Sequence, residues 1–274
     1  MPMKYTQNLH THTSFCDGKH TPEEIVQKAL AQGFTELGFS GHIHTTYSKV
    51  CSAEKTEAYR REILRLKKAY RDRIDIFLGI EYDMYCGVDV SSGYDYVIAG
   101  VHALKIDGKY YPFHRVLDVV EKLVNEQFGG DGMAYAKCYY ETMARLPEEG
   151  KFDIVAHFDS VTRHVEMKPL FDMESKEYLD AAFTALHAIA GKIPFFEVNT
   201  GALARGYRTA PYPALPILKE MKRLGVNLIL SSDAHDGDAL TAGFDPAVEI
   251  MKEAGYRETY VLKKSGFEAV PLEE

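Results

Sequence analysis

Long apolar runs are missing from this sequence of 274 residues. No apolar stretch follows the first methionine, so the sequence predicts no signal peptide. No run of about 18 apolar residues occurs, so it predicts no membrane-spanning helix. Tryptophan is absent, and cysteine is scarce, with four residues and no CxxC spacing. Such cysteines are typical of reduced thiols, and the sequence therefore predicts a cytoplasmic location.

Positive charge is also in short supply. Lysine and arginine together number 32 against 40 aspartates and glutamates, which gives a net charge of −8 and a pI near 5.8. This balance disfavours nucleic acid and anionic membranes as partners. A small anionic substrate would need a local positive centre, such as metal ions or arginines. The composition makes no prediction of the oligomeric state.

Apolar, β-branched segments alternate with segments of helical period along the chain. Tyr5–His12 is predicted as the first strand, and Thr21-Pro22-Glu23-Glu24 has the spacing of a helix capping box. This alternation predicts an α/β protein with a parallel sheet. Seven or eight such units in about 260 residues favour a barrel over an open sheet. Because no Pro/Gly/Ser-rich linker divides the chain, residues 1–274 are predicted to form one domain.

Histidines and carboxylates recur at the C-terminal ends of the predicted strands. His10 and His12 are two residues apart, so their side chains would share one face of a strand. The whole set comprises His10, His12, His42, Glu81, His102, His157, Asp233 and His235. In a barrel of parallel strands these ends converge on one face. Buried polar groups that converge need partners, and divalent metal ions would supply them.

The pattern resembles the polymerase-and-histidinol-phosphatase (PHP) superfamily over nearly the whole chain. The resemblance rests on His10-Thr11-His12 with Asp17, Gly41-His42, Gly79-Ile80-Glu81, Gly100-Val101-His102, Ala156-His157, Glu197-Val198-Asn199-Thr200-Gly201 and Ser232-Asp233-Ala234-His235. It implies a distorted (β/α)7 barrel with the metal site at the C-terminal ends of the strands. It also implies two or three divalent ions, which would be zinc, manganese or iron.

The resemblance further assigns the ligands to three ions, with the carboxylate of Glu81 bridging the first two. The sets are His10, His12, Glu81 and Asp233 for the first ion, Glu81, His102 and His157 for the second, and Asp17, His42 and His235 for the third. The family often has histidine at the position of Asp17, so His20 is an alternative ligand at that corner.

Within the superfamily, the segment from Glu197 through Arg205-Gly206-Tyr207-Arg208 to Pro211-Tyr212-Pro213 resembles the histidinol-phosphatase branch. That resemblance implies hydrolysis of L-histidinol phosphate in histidine biosynthesis. Three alternatives stay open. They are a PHP phosphoesterase acting on a nucleotide, sugar phosphate or phosphotyrosine, a non-catalytic metal-binding PHP module, and an amidohydrolase-type C–N hydrolase. The last usually uses a bridging lysine, where this chain offers Glu81.

The chemistry expected of such a site is attack on phosphorus by a hydroxide that bridges two metals, with Glu81 and Asp233 holding those metals. Arg163, Arg205 and Arg208 follow predicted strands and are candidates to bind phosphate, Arg208 less so. His44 is a candidate general acid for the leaving alkoxide. Glu197 and Asn199 would bind the ammonium or imidazole of the substrate, although Glu197 has an equal alternative as a partner of an arginine at the barrel rim.

Overall fold

A curled, parallel six-stranded sheet forms the centre of the molecule, for which a computed structural model describes residues 5–114 and 116–272. Its strands lie in the order β1-β2-β3-β6-β7-β8, and each is parallel to its neighbours. The six strands are β1 (Glu36–Phe39), β2 (Asp75–Asp83), β3 (Tyr96–Gly100), β6 (Ile154–Val155), β7 (Phe195–Asn199) and β8 (Asn227–Ser231). Their side chains are buried almost throughout, as expected for parallel strands covered by helices.

The chain before β1 runs between the two edges of this sheet. On one side the amides of Gly38 and Ser40 donate to the carbonyls of Asn8 and Thr11, at 2.9 and 3.0 Å. On the other side, in the loop after β8, the carbonyl of Ala234 accepts from the His12 amide at 2.8 Å, and the Ala234 amide donates to the carbonyl of His10 at 2.9 Å. The prediction of a regular strand at Tyr5–His12 is wrong, because this segment pairs only at isolated positions such as Thr11.

Helices connect the strands and cover the outside of the sheet. They are α1 (Pro22–Ala31), α2 (Ala53–Ala69), α3 (Leu117–Phe128), α4 (Gly132–Met143), α5 (Leu146–Glu149), α6 (Lys176–Ile189), α7 (Gly201–Ala204), α8 (Leu215–Arg223) and α9 (Phe244–Glu253). The capping box predicted at the start of α1 is confirmed, since Thr21 and Glu24 bond reciprocally. Within the described residues, every helix is too short or too polar to cross a bilayer.

Two antiparallel hairpins lie outside the central sheet. One, β4 (Ala103–Ile106) with β5 (Lys109–Pro112), lies between β3 and α3. The other, β9 (Glu258–Lys263) with β10 (Gly266–Pro271), packs on the end of the sheet where the strands begin. There Leu262, Tyr260 and Phe267 contact an apolar cluster that includes Ile98 and Phe195. This hairpin therefore closes the end of the fold opposite the predicted metal site.

Candidate metal centre

The structure brings the nine predicted ligands together at the carboxyl ends of the parallel strands. His10 and His12 lie on the extended N-terminal segment, Glu81 lies near the end of β2, and the remaining ligands lie on the loops that follow the strands. His157 and Asp233 have positive φ angles of 23° and 48°. Non-glycine residues adopt this region at a cost of about 1–3 kcal/mol, which the surrounding structure has to offset. Strain of this kind is typical of functional positions.

Glu81 is the centre of the cluster and is almost fully buried. Its Oε1 lies 3.4 Å from His10 Nε2, 3.2 Å from His102 Nε2 and 3.1 Å from His157 Nε2. Its Oε2 lies 2.8 Å from His42 Nδ1 and 3.5 Å from the Nε2 of a fifth histidine, His12. One carboxylate therefore faces five imidazoles, which is the position required of a bridging ligand.

Two aspartates complete the cluster around His12. Asp17 lies 3.4 Å from His12 Nδ1, 3.5 Å from His42 Nε2 and 3.4 Å from His235 Nε2. Asp233 Oδ1 lies 3.0 Å from His12 Nε2. The groups whose ligand atoms all lie within 4.8 Å of one another include His12-Asp17-His42-His235, His10-His12-Asp233, His42-Glu81-His102 and His102-His114-His157.

Several buried nitrogens of the cluster lack a hydrogen-bond partner among the described residues. They are His10 Nε2, His12 Nε2, His102 Nδ1 and His157 Nδ1. Leaving a polar atom buried and unpaired costs about 1–3 kcal/mol, and four such atoms in one place call for a partner. Imidazole nitrogens with carboxylate oxygens form a donor set suited to zinc, manganese or iron. The residues present therefore fit a group of divalent ions.

The same geometry controls protonation in the protein without metal. Burial alone would lower the pKa of His10, but the carboxylates of Glu197, Glu81 and Asp233 raise it to about 10. Burial would raise the pKa of Glu81, but His42, His102 and His10 hold it well below its usual range. In the metal-free protein a proton on His10 therefore takes the place of a metal ion at that ring.

Glu197 and Asn199 lie beneath the cluster and do not line the cavity above it. The Oε1 of Glu197 lies 2.6 Å from His10 Nδ1, and its Oε2 accepts from the His157 amide at 3.0 Å. Asn199 donates to Glu197 at 2.9 Å and accepts from the Gly201 amide at 2.9 Å. These contacts fix the His10 ring and the backbone of His157. The predicted contact of Glu197 and Asn199 with the substrate therefore has no geometric support.

The three arginines have different surroundings. Arg163 lines the cavity, and its guanidinium lies 4.2 Å from the centre of the Tyr207 ring. Arg205 also lines the cavity and donates to the carboxylate and to the carbonyl of Asp233, both at 2.9 Å. Arg208 is only 4% exposed and bonds Glu166 and Thr162 behind the cavity wall. Two of the three therefore face the space where a phosphate would lie.

Of the remaining histidines, His44 and His20 lie outside the cavity. His44 Nδ1 lies 3.2 Å from the hydroxyl of Thr56, and His20 Nδ1 accepts from the Gly237 amide at 3.2 Å. His114, which no sequence motif singled out, lies at the cavity wall with its Nε2 2.9 Å from the Ser160 hydroxyl. Asp83 also lies at the wall, and its place two residues after Glu81 on β2 was the sequence signal for it.

Comparisons with known proteins agree with this geometry. Residues 8–201 match the model of the PHP domain family. The chain is 25% identical over 270 residues to the histidinol-phosphatase of Bacillus subtilis, covering 88% of this chain and 97% of that one. It is 24% identical over 273 residues to the histidinol-phosphatase of Lactococcus lactis, covering 93% of each.

A solved structure has the same fold over nearly the full length. It is the histidinol phosphate phosphatase of Lactococcus lactis in complex with zinc, L-histidinol and phosphate. The TM-score is 0.69 at 20% sequence identity, and the match covers 96% of this chain and 98% of that one.

Proposed function

The chain belongs to the PHP domain family, and we propose that it is a metal-dependent phosphatase that hydrolyses L-histidinol phosphate to L-histidinol and phosphate in histidine biosynthesis. The observation that carries the proposal is the cluster of six histidines around Glu81, Asp17 and Asp233, open to a cavity that two arginines also line. The choice of substrate is supported by relatives of similar length that are histidinol phosphatases. The reaction fits a cytoplasmic protein, as the composition predicts.

Two or three divalent ions would occupy the cluster. The first ion would be held by His10, His12, Glu81 and Asp233, the second by Glu81, His102 and His157, and the third by Asp17, His42 and His235. When bound, such ions supply Lewis acidity towards the phosphate oxygens and an activated water. The adjacent His102-His114-His157 group makes His114 a further candidate ligand of the second ion.

The protein's own groups bind and orient the phosphate. Arg163 and Arg205 would donate to the phosphate oxygens from the side of the cavity opposite β2 and would offset the charge that develops there. Arg205 is held in place by its two hydrogen bonds to Asp233, so its direction is fixed before the substrate arrives. Glu197, with Asn199, holds His10 and so keeps one face of the cluster rigid.

The N-terminal segment completes the scaffold that supports this site. With its hydrogen bonds to β1 on one side and to the loop after β8 on the other, it would act as the seventh member of a distorted (β/α)7 barrel. Tyr96, inside the sheet, donates to the carbonyls of Leu9 and Phe39 and so joins this segment to β1. The whole chain, 1–274, would then be one PHP domain, including the residues outside the described ranges.

The test is phosphate release from L-histidinol phosphate and from a panel of other phosphomonoesters. The protein would be stripped of metal and re-supplied with manganese, zinc or iron, with His12→Ala as the control. Strong, metal-dependent preference for L-histidinol phosphate is expected. Turnover of a simple aryl phosphate alone would keep the phosphatase and refute the substrate. No turnover by metal-loaded protein would refute the enzyme and favour a C–N hydrolase or a non-catalytic module.

A further inference from the structure

We infer that Asp83 binds the amine of the substrate and thereby sets the specificity of the site. The inference rests on the proposed function, since it concerns the part of L-histidinol phosphate that leaves the phosphate. Neither Glu197 nor Asn199, which the sequence suggested for this role, reaches the cavity. Another negative group has to receive the ammonium if the enzyme is to recognise it.

Asp83 lies where the amine of a bound substrate would be. Side chains two apart on a strand point to the same face, so Asp83 faces the barrel interior as Glu81 does. It is displaced from Glu81 by about 6.6 Å along β2, towards the mouth of the barrel. In the substrate, the amine is separated from phosphorus by only the ester oxygen and two carbons. A phosphate held at the cluster therefore brings its ammonium towards Asp83.

Among the described residues, the carboxylate of Asp83 has only an imidazole, that of His102, as an ion-pair partner. Four carboxylates line the cavity, and three of them, Asp17, Glu81 and Asp233, belong to the ligand groups of the cluster. Asp83 belongs to none of those groups, and it has no lysine or arginine partner within residues 5–114 and 116–272. Its side chain is only 8% exposed. A buried carboxylate costs much free energy unless it is paired, and a substrate ammonium would pair it.

An alternative role for Asp83 is to orient the metal ligand His102, as Glu197 orients His10. The contacts of Asp83 fit this role less well than those of Glu197 do. Glu197 lies 2.6 Å from His10 Nδ1 and makes a hydrogen bond with it. Asp83 Oδ2 lies 3.3 Å from His102 Nδ1, and that nitrogen forms no hydrogen bond with the described residues. The second oxygen accepts a long bond, 3.4 Å, from the His102 amide. The hydroxyl of Tyr47, which donates to the carbonyl of Met84, also faces this carboxylate. Asp83 therefore retains lone pairs that a donor in the cavity can use.

The wall of the same cavity is partly apolar and aromatic, which suits the rest of the leaving group. The whole cavity has a volume of about 300 Å³, and besides the cluster its wall includes Tyr47, Ser48, Val50 and Pro112. Tyr47 is stacked on Tyr110 of the β4–β5 hairpin, with ring centroids 4.8 Å apart. A small aromatic group such as imidazole fits an aromatic and apolar wall of this kind.

The experiment compares two substrates in the metal-loaded enzyme. One is L-histidinol phosphate, and the other is 3-(imidazol-4-yl)propyl phosphate, which differs only in lacking the amine. In the wild type the amine is expected to raise kcat/KM about tenfold to hundredfold, the range for a hydrogen bond between charged groups. Asp83→Asn is expected to bring the ratio of the two kcat/KM values close to one, and Asp83→Glu is expected to restore part of it. Asp89→Asn, the same change at an exposed carboxylate, is the matched control and should keep the wild-type ratio.

The outcomes separate this inference from the proposed function. If Asp83 only orients His102, Asp83→Asn will lower kcat/KM equally for both substrates, and the inference is wrong while the proposed function stands. If the wild type hydrolyses neither substrate, the proposed function itself is wrong.

Metal content is measured for each variant. Should Asp83→Asn be inactive, calorimetric binding of L-histidinol and of 3-(imidazol-4-yl)propan-1-ol to the metal-loaded variants replaces turnover. Loss of the amine preference in binding supports the inference, and an unchanged preference overturns it.

Discussion

Strand β7 meets two opposite environments at its two ends. At its start, Phe195 packs against Phe267 and Tyr260 of the C-terminal hairpin, with ring centroids 4.2 and 5.2 Å apart. At its end, two and four residues later, Glu197 and Asn199 lie in a polar layer under the histidine cluster. The same strand thus serves an apolar core at one end of the fold and a charged site at the other.

Stability and function depend on different ends of the fold. The hairpin end buries aliphatic and aromatic side chains, which stabilise the fold without any ligand. The cluster end concentrates carboxylates and unpaired imidazole nitrogens, which are costly to bury until a cation binds. Substitutions at the two ends should therefore separate folding from activity.

The largest expected effect is the loss of activity at the cluster end. His12 contacts Glu81, Asp233 and Asp17, so His12→Ala removes a ligand common to two of the groups of closely spaced ligand atoms in the structure. The loss in kcat/KM should exceed about 100-fold, the upper range for residues that merely support a ligand. Circular dichroism and thermal unfolding should show a folded protein. An active variant of normal metal content would contradict the ligand assignment.

Removal of metal is expected to come next in size. If each ion is present at about 1,000 times its dissociation constant, chelation should lower the free energy of unfolding by about 4 kcal/mol per site. Thermal unfolding with and without chelator measures this directly. Phe195→Ala in the same assay should respond to chelation as the wild type does, because its site is intact. Identical melting of stripped and loaded wild type would contradict a metal-supported fold.

The effect of chelation should also depend on pH. In the metal-free protein, the pKa of His10 is raised to about 10 from its ordinary value of 6.5. A group whose folded pKa is raised stabilises the fold fully below about pH 6.5, and that contribution is lost as the pH rises towards about 10. Metal binding strengthens over the same range because the ligands must be deprotonated. The gap in Tm between loaded and stripped protein should therefore widen from pH 6 to about pH 9, and a narrowing gap would contradict the assignment.

At the hairpin end the expectation is reversed. Phe195→Ala leaves a cavity between β7 and the hairpin and should lower the free energy of unfolding by about 3 kcal/mol. At temperatures where the variant is folded, kcat/KM should stay near the wild-type value, since Phe195 lies at the opposite end of β7 from the cavity. Denaturant titration measures the first quantity, and phosphate release measures the second. A large loss of activity in folded variant would show that the two ends are coupled.

The sequence predicted the cluster better than it predicted the walls of the cavity. His42, His102 and His157 follow strands, and parallel strands bring their ends together whatever the details of packing. The depth of a side chain inside the barrel is harder to predict from the sequence, because it depends on the register between strands. Glu197 was correctly expected to share a face with Asn199, but its level beneath the cluster follows from contacts with residues more than 30 positions away in the chain.

His114, which the sequence did not assign, and Arg208, which it assigned to the phosphate, have the same explanation. His114 follows the β4–β5 hairpin, whose turn was not recognised, so no strand end pointed to it. Arg208 was the weakest of the three arginine candidates, with a solvated loop position slightly favoured, and its guanidinium instead bonds Glu166, which lies 42 residues away. Long-range partners of this kind leave no periodic pattern in the sequence. Residue types at strand ends could be predicted, whereas the direction of loop side chains could not.

The smallest expected effect concerns how Arg163 is held at the cluster end. Arg205 is fixed by Asp233, whereas Arg163 has only the ring of Tyr207 beneath it, and its buried Nε lacks a hydrogen bond in the described part of the chain. Tyr207→Leu removes this cation–π contact and should raise KM up to about tenfold, with little change in kcat. Tyr207→Phe keeps the ring and should behave as the wild type. If the Phe variant is impaired as much as the Leu variant, the hydroxyl of Tyr207 rather than its ring positions Arg163. The cation–π contact would then not be what distinguishes Arg163 from Arg205.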